Sequence, residues 1–426
     1  MNRIVLIGNG FDQAHNLKTS YQDFIDWYWR KWGERLLHGF NKVEDDGLCL
    51  FSLNDNIEIP SWYLVWTGYY YKRDNPFIPW DVNEVVNLAK NDKKLCKFEY
   101  WSPFFENVCQ SIETKGWVDI ENEYYNLLKK YTVEEYSKHN LIELNRQLHC
   151  LKDLLLEYLG LINQQAVDID ESIRNKIYAP IKMDDIAVAA KGILKECVDA
   201  WMGASELSII DKIHRYRLNE KEIIESINYF KENYSSGRMF FTDAPRPYLL
   251  PDAVMLLNFN YTHTAELYHN AELGFIKYIH GKIDDPQGVI FGYGDELDDD
   301  YKRLQMLNDS ECLRNVKSIR YLETDNYRNL LAFAEAAPFQ VCIMGHSCGN
   351  SDRTLLNTLF EHRNCISIKP YYHLKSNGID NYIEIVQNIS RNFKDMKLMR
   401  DRVVNKQYCE PLVNPNLNLA NSTQNL

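Results

Sequence analysis

No two of the chain's ten cysteines form a C-x-x-C pair; they stand singly, from Cys49 to Cys409. That argues against a structural zinc site and for reduced thiols. No apolar run approaches the roughly 20 residues of a membrane-spanning helix, and the first residues lack the basic, apolar and cleavage-site order of a secretory leader. A cytoplasmic protein is therefore expected. Basic residues are outnumbered, Lys+Arg 48 against Asp+Glu 60 for a net charge of −12, which disfavours nonspecific attraction to nucleic acid or to an anionic membrane. Internal repeats are absent as well. What is present is a 426-residue chain of 45% hydrophobic composition, enough for a large core and two or three structural units.

The chain is organised around Arg3 to Tyr21, RIVLIGNGFDQAHNLKTSY. Ile4 to Ile7 run into Gly8-Asn9-Gly10, after which strand character gives way to the start of a helix. Strand, glycine turn and helix in this order make the first turn of a nucleotide-binding α/β sheet. Glycine lets the backbone approach a phosphate closely, and a helix N-terminus offers unpaired N–H groups. Gly8, Asn9, Gly10, Phe11 and Asp12 are thus candidates for holding phosphate or ribose. Gln13 stands where the dinucleotide fingerprint has its third glycine, and no acidic strand end follows about 20 residues on. The alternative is a buried first strand whose glycines only make a tight turn.

From Gln22 to about Pro245 tryptophan and tyrosine are dense (Trp27, Trp29, Trp32, Trp62, Trp66 and Trp80 among them), strand patterns are scarce and helical periodicity recurs. Leu141, Leu144, Leu148, Leu151, Leu155 and Tyr158 follow helical spacing and predict a helix with one buried face. Met183 to Trp201 and Glu206 to Tyr234 also read as helical, the second charged enough for a surface hairpin or partner-facing arm. Trp117-Val118-Asp119-Ile120-Glu121 opens another helix, where both acids suit the first turn as capping groups. The functional alternative has one carboxylate reaching a cleft.

Ala244-Pro245-Arg246-Pro247 ends the helical pattern, and strands return: Ala253 to Leu257 before Asn258-Phe259-Asn260-Tyr261-Thr262, Phe275 to Ile279 before His280-Gly281, and Gly288 to Phe291 before Gly292-Tyr293-Gly294. Polar residues and glycines at the ends of such runs mark the edge where an open parallel sheet binds ligands. After an acidic loop, Asp295 to Asp300, come a helix near Tyr327 to Ala337, a strand at Phe339 to Met344, the turn Gly345-His346-Ser347-Cys348-Gly349-Asn350-Ser351-Asp352, a helix to His362, a strand at Cys365 to Pro370 and a helix at Tyr382 to Phe393. The expected fold is a doubly wound, Rossmann-like α/β parallel sheet, residues 1–21 and 246–405, split by a large α-helical insertion, 22–245, with 406–426 a flexible tail.

The ordered set GNGFD, NFNYT, HG, FGYGDE and GHSCGNSD resembles the bacterial AbiH family, associated with abortive infection against phages, over most of the chain. More distantly the order is similar to sirtuins and to sirtuin-like NAD hydrolases of phage defence. That resemblance implies NAD as substrate or ligand, no metal, and a phage or host protein as trigger. It casts Gly8 and Gly10 as phosphate-turn glycines, Asn260 as the asparagine beside the nicotinamide ribose, His280 as the general base, and Gly345 and Ser347 as the turn on the adenosine side. Gly292 and Asp352 join the candidate nucleotide-binding residues. Thr262 stands where sirtuins carry aspartate and Phe259 where they carry glutamine, and the paired zinc cysteines are missing, all of which argue against protein deacylation.

Cleaving the nicotinamide–ribose bond develops oxocarbenium character, so an enzyme needs a polar group on the ribose and a base for water. Asn260 and His280 suit these roles, since an unperturbed imidazole titrates near 6.5 and an amide both donates and accepts. His346 and Asp352 across one turn admit a metal site or an acid–base pair, although Asp352 also suits the N-cap of the following helix. Two other functions stay open. One is a non-enzymatic nucleotide-binding sensor, monomeric or homo-oligomeric. The other is a serine hydrolase in which Ser347 of G-H-S-C-G forms a nucleophile elbow, with Asp352 and either His362 or His373.

Overall fold

The computed structural model describes residues 1–38, 43–54, 82–93, 96–134 and 136–414. Trp62, Trp66 and Trp80, and residues 415–426, lie outside the described residues. The strands are β1 (Asn2–Ile7), β2 (Val43–Asp45), β3 (Cys49–Leu53), β4 (Cys96–Tyr100), β5 (Val254–Asn258), β6 (Gly274–Tyr278), β7 (Phe339–Met344) and β8 (Cys365–Tyr371). Five of them form one parallel sheet in the order β6-β5-β1-β7-β8. Counted within that sheet the order is third, second, first, fourth, fifth, the doubly wound arrangement expected, and it reverses between β1 and β7.

Both faces of this sheet are covered along β5, β1, β7 and β8, which is why these strands read as near-continuous apolar runs rather than as alternating ones, while β6 at the edge is only partly buried. Ile4, Leu6, Met255, Leu257, Val341 and Ile343 pack against Leu330, Leu355, Leu359 and Ile389 of three helices that follow β6, β7 and β8. On the opposite face Val5, Ile7, Val254, Leu256 and Met344 meet Phe11, Tyr268, and Ile173 and Ile177 of the helix Glu171–Ile177. A helix from within the 22–245 span therefore closes one side of the sheet.

The insertion is mainly helical, as expected, and contains in addition a small antiparallel sheet, β2-β3-β4. Its longest helix is Lys138–Ile162, started by Ser137 accepting from the Asn140 N–H and burying Leu141, Leu144, Leu148, Leu151, Leu155 and Tyr158. The charged stretch after Glu206 is two helices, Glu206–Arg215 and Glu220–Ser235, separated at Arg217 with φ of 51°. No helix among the described residues is long and apolar enough to cross a membrane.

Gly288 to Phe291 is not a strand. Val289 and Phe291 belong to the insertion's core and Ile290 to the core under the sheet. The run is apolar because it threads between two cores, its Ile290 N–H bonded to the His280 carbonyl at 2.9 Å. At the C-terminal end, Leu412 is buried and its N–H donates to the Tyr372 carbonyl at 2.8 Å, so the described part of the final stretch is held against β8.

Candidate functional site

The two turns flanking the reversal point are packed on each other. A Cβ on Gly8 would lie 2.5 Å from His346 Cα, and one on Gly10 would lie 2.9 Å from Gly345 Cα. The Gly10 N–H donates to the Gly345 carbonyl at 2.8 Å, the Phe11 N–H to the Gly8 carbonyl at 2.8 Å, and the Gly8 N–H to the Met344 carbonyl at 3.3 Å. The glycines are thus needed for backbone to approach backbone. Three N–H groups expected to await a phosphate are already taken up by protein carbonyls.

Gly345 carries the tightest constraint, with φ of +77° and a virtual Cβ 2.0 Å from the Phe11 nitrogen. Gly345→Ala combines left-handed strain with overpacking and is expected to cost about 2–5 kcal/mol. Gly378, with φ of +80° and open space around it, carries only the strain, about 1–2 kcal/mol. Urea unfolding of both alanine variants checks this ordering; equal losses would contradict the interlock.

Of the other residues in the first turn, Asn9 is exposed and its side chain accepts from Thr19. Phe11 is fully buried against His15 and Tyr268, where it anchors the short helix Asn9–Ala14 to the sheet. Asp12 is buried and accepts the Thr262 hydroxyl at 2.5 Å, while its other oxygen has no partner. Burial raises its carboxyl above the usual range, against the hydrogen bonds of Thr262 and its neighbours.

Asn260 stands just past the end of β5. Its N–H donates to Asn258 Oδ1 at 3.1 Å and its Nδ2 to the Gly8 carbonyl at 3.0 Å. The asparagine motif is therefore tied to the first turn, as the order of the motifs implies, and the half-buried amide keeps acceptor capacity for a ligand.

His280, past the end of β6, is 4% exposed. Its Nε2 lies 3.1 Å from Asp352 Oδ1 and 3.2 Å from the Tyr321 hydroxyl. Asp352 is the N-cap residue of the helix Arg353–Phe360, yet its side chain makes no capping bond. Instead its carboxylate receives Lys317 Nζ at 2.9 Å and His280 on one oxygen and His346 Nε2 at 3.5 Å on the other. Asp352 thus serves as acceptor for Lys317, His280 and His346 rather than as a cap, because a buried carboxylate among three nitrogen donors gains more there than at a helix end.

Lys317 in turn binds Glu121 Oε2 at 2.6 Å, and Glu121 Oε1 accepts the Gly292 N–H at 3.0 Å. Asp119 caps the helix Ile120–Lys129 through the Asn122 N–H, whereas Glu121, two residues on, pairs with Lys317. Gly292 holds Glu121, and a Cβ there would lie 2.0 Å from the Asn315 carbonyl. Lys317 and Tyr321 were not legible in the sequence. Nothing local marks them; only a partner for the buried carboxylates does.

The electrostatics follow from burial and pairing. Burial opposes the charge on Asp352, but Lys317 and then His280 hold its carboxyl well below the ordinary range. Burial also opposes the charge of Lys317, yet Asp352 and Glu121 keep its ammonium protonated well above the ordinary range. Burial pushes Glu121 up to about 7 against the pull of Lys317. For His280, burial and then Lys317 favour the neutral ring. An ionised Asp352 can only accept, so His280 carries its proton on Nε2 and leaves Nδ1 as the basic atom.

These directions predict how stability depends on pH. His280 binds its proton less tightly folded than unfolded, so its contribution is present above about pH 6.5 and is lost as pH falls through the folded value. Asp352 acts in the same direction at lower pH, below about 4. Glu121 acts oppositely, its contribution fading as pH rises toward 7. Comparing wild type with His280→Gln isolates the histidine: the variant should melt close to wild type at pH 7 and above it at pH 5. A gap in melting temperature independent of pH contradicts the buried neutral ring.

Ser347 is exposed, and its carbonyl accepts from Asn388 Nδ2 at 2.8 Å. Strain sits on Cys348, with φ of 55°, one residue past the serine. His362 pairs with Glu335, and the His373 N–H donates to Asn381. The structure thus brings Gly8, Gly10, Asp12, Asn260, His280, Gly345, His346 and Asp352 together through direct contacts, but gives Ser347 no histidine partner among the described bonds. In the acidic loop Asp295 pairs with Arg353 at 3.1 Å and Asp298 caps the helix Asp299–Met306. Among the described residues no group of three or more His, Cys, Asp or Glu side chains is placed to hold a metal ion.

No curated protein and no solved structure matches the chain. Residues 4–373 match the family model described as bacteriophage abortive infection AbiH. The match spans the glycine turn, Glu121, Asn260, His280, Lys317 and Asp352, and the chain belongs to the bacteriophage abortive infection AbiH family.

Proposed function

We propose that the chain acts in abortive infection by hydrolysing NAD at the nicotinamide–ribose bond. The observation that carries this reading is the His280–Asp352 pair, 3.1 Å apart, at the strand ends that also carry Asn260. In the proposed reaction Asn260 holds the ribose, and water adds to the ribose carbon as the bond to nicotinamide breaks. The bonding pair leaves on the pyridine nitrogen and neutralises its positive ring. His280 Nδ1 takes the proton from water, and Asp352 stabilises the imidazolium that results.

The charge around the pair fits such a substrate. Glu121 and Asp352 share the single buried ammonium of Lys317, and Asp119 lies close enough to interact with both Lys317 and Asp352. An excess of carboxylate favours a ring that starts positive and a ribose that becomes so in the transition state.

The reading is tested by NAD quantified in infected cells carrying wild type or Asn260→Ala. NAD should collapse in the first and persist in the second. A second reading, a nucleotide sensor without turnover, is favoured by the burial of His280 at 4% exposed. It is distinguished by protection from phage with NAD intact in both strains.

A further inference from the structure

The helical insertion interrupts the nucleotide-type core after its first turn, yet one of its side chains ends inside the site. Glu121 is 7% exposed, in the first turn of the helix Ile120–Lys129, and that helix is fixed to the core. Tyr125 stacks on Tyr293 with ring centres 3.8 Å apart and planes within 6°, and its hydroxyl donates to Asp298 at 2.9 Å. Asn145 on the longest insertion helix donates to the Glu311 carbonyl and carboxylate at 3.0 and 2.9 Å. Asn315 returns a bond to Asn145 Oδ1 at 2.9 Å. The segment that carries Lys317 is thus held between insertion and core.

We propose that Glu121 is a positioning residue: through Lys317 it fixes Asp352 against His280, so that the insertion completes the site's base. This rests on the acid–base reading of His280 above. The relay runs from Glu121 Oε2 to Lys317 Nζ over 2.6 Å, on to Asp352 Oδ1 over 2.9 Å, and from that oxygen to His280 Nε2 over 3.1 Å. Because one ammonium serves both carboxylates, its position depends on both. Without Glu121, Lys317 turns wholly to Asp352 and competes with His280 for the shared oxygen. Without Lys317, Asp352 turns wholly to His280. The groups that face His280 are Asp352, Lys317, His346 and Tyr321, with Glu121 behind Lys317.

The two changes therefore have opposite signs at His280. Glu121→Gln, which gives Lys317 over to Asp352, should lower the midpoint of its titration, and loss of the positive charge at Lys317→Met should raise it, each by about half a pH unit or more. The experiment is a histidine-selective NMR titration of the full chain, with the His280 signal identified as the one missing from the His280→Gln spectrum. Lys317→Met leaves two buried carboxylates unpaired, so where it does not fold, Glu121→Gln/Lys317→Met takes its place. That double variant is expected to give a midpoint above that of Glu121→Gln alone. Folded variants whose His280 midpoint stays at the wild-type value overturn the proposal. The titration needs no substrate: shifts of the expected sign without any NAD turnover in wild type would sink the hydrolase reading and leave the positioning role intact.

Discussion

His280→Gln is expected to lower NAD turnover during infection by roughly 10²- to 10⁴-fold, the usual span for a general acid–base group. Glutamine can keep a donor toward Asp352 and fill most of the space, so the folded site persists without a titratable nitrogen. Alanine is the harsher choice, because the ring is buried against Phe259 and Tyr321 and its loss opens a cavity. Expected alongside is a melting temperature close to wild type at pH 7. A variant that consumes NAD at the wild-type rate would remove His280 from the chemistry, whatever the effect on defence.

Lys317→Met is expected to destabilise the protein by about 3–5 kcal/mol, since removing one partner of a buried ion pair leaves its counter-charge uncompensated. Here two carboxylates lose their cation at once. The size of the loss also depends on the neighbours: adding Glu121→Gln removes one of the stranded charges and should restore part of the stability. Lys302, 65% exposed and paired with Asp299 across one turn, is the control, and Lys302→Met should leave the unfolding midpoint where it is. Urea unfolding of the three variants decides the matter. A Lys317→Met protein as stable as the control would mean that the buried carboxylates take up protons instead, with no cost to the fold.

How much of this was legible in the sequence depends on range. Four of the five sheet strands, β1, β5, β7 and β8, could be found because each is a short, largely apolar run buried along its length, whereas β6, at the edge, is only partly buried. The ends of β5 and β6 carried Asn260 and His280 in plain view. Gly288 to Phe291 has the same composition and is no strand, because alternate burial in two cores also selects apolar residues. The glycines of the first turn were read as room for a phosphate. Their neighbours turn out to be Gly345 and His346, more than 330 positions away in the chain, and nothing local separates the two causes. Asp119 and Glu121 show the same limit most clearly. Both suit a helix's first turn, and one of them does cap it, while the other meets a lysine 196 residues further on. A local pattern reports which residues favour a helix start; it does not report a counter-ion brought in by the fold. The dinucleotide reading accordingly rests on Asn260, His280 and Asp352 more than on the glycine turn.

The measurement that bears most directly on the central claim is the appearance of free nicotinamide and ADP-ribose in phage-infected cells, followed by mass spectrometry alongside NAD itself. Cells carrying the wild-type chain should show both products rising together as NAD falls, before lysis would occur, and cells carrying Asn260→Ala should show neither. An intact NAD pool and no nicotinamide release in a culture that the wild-type chain protects would contradict the account.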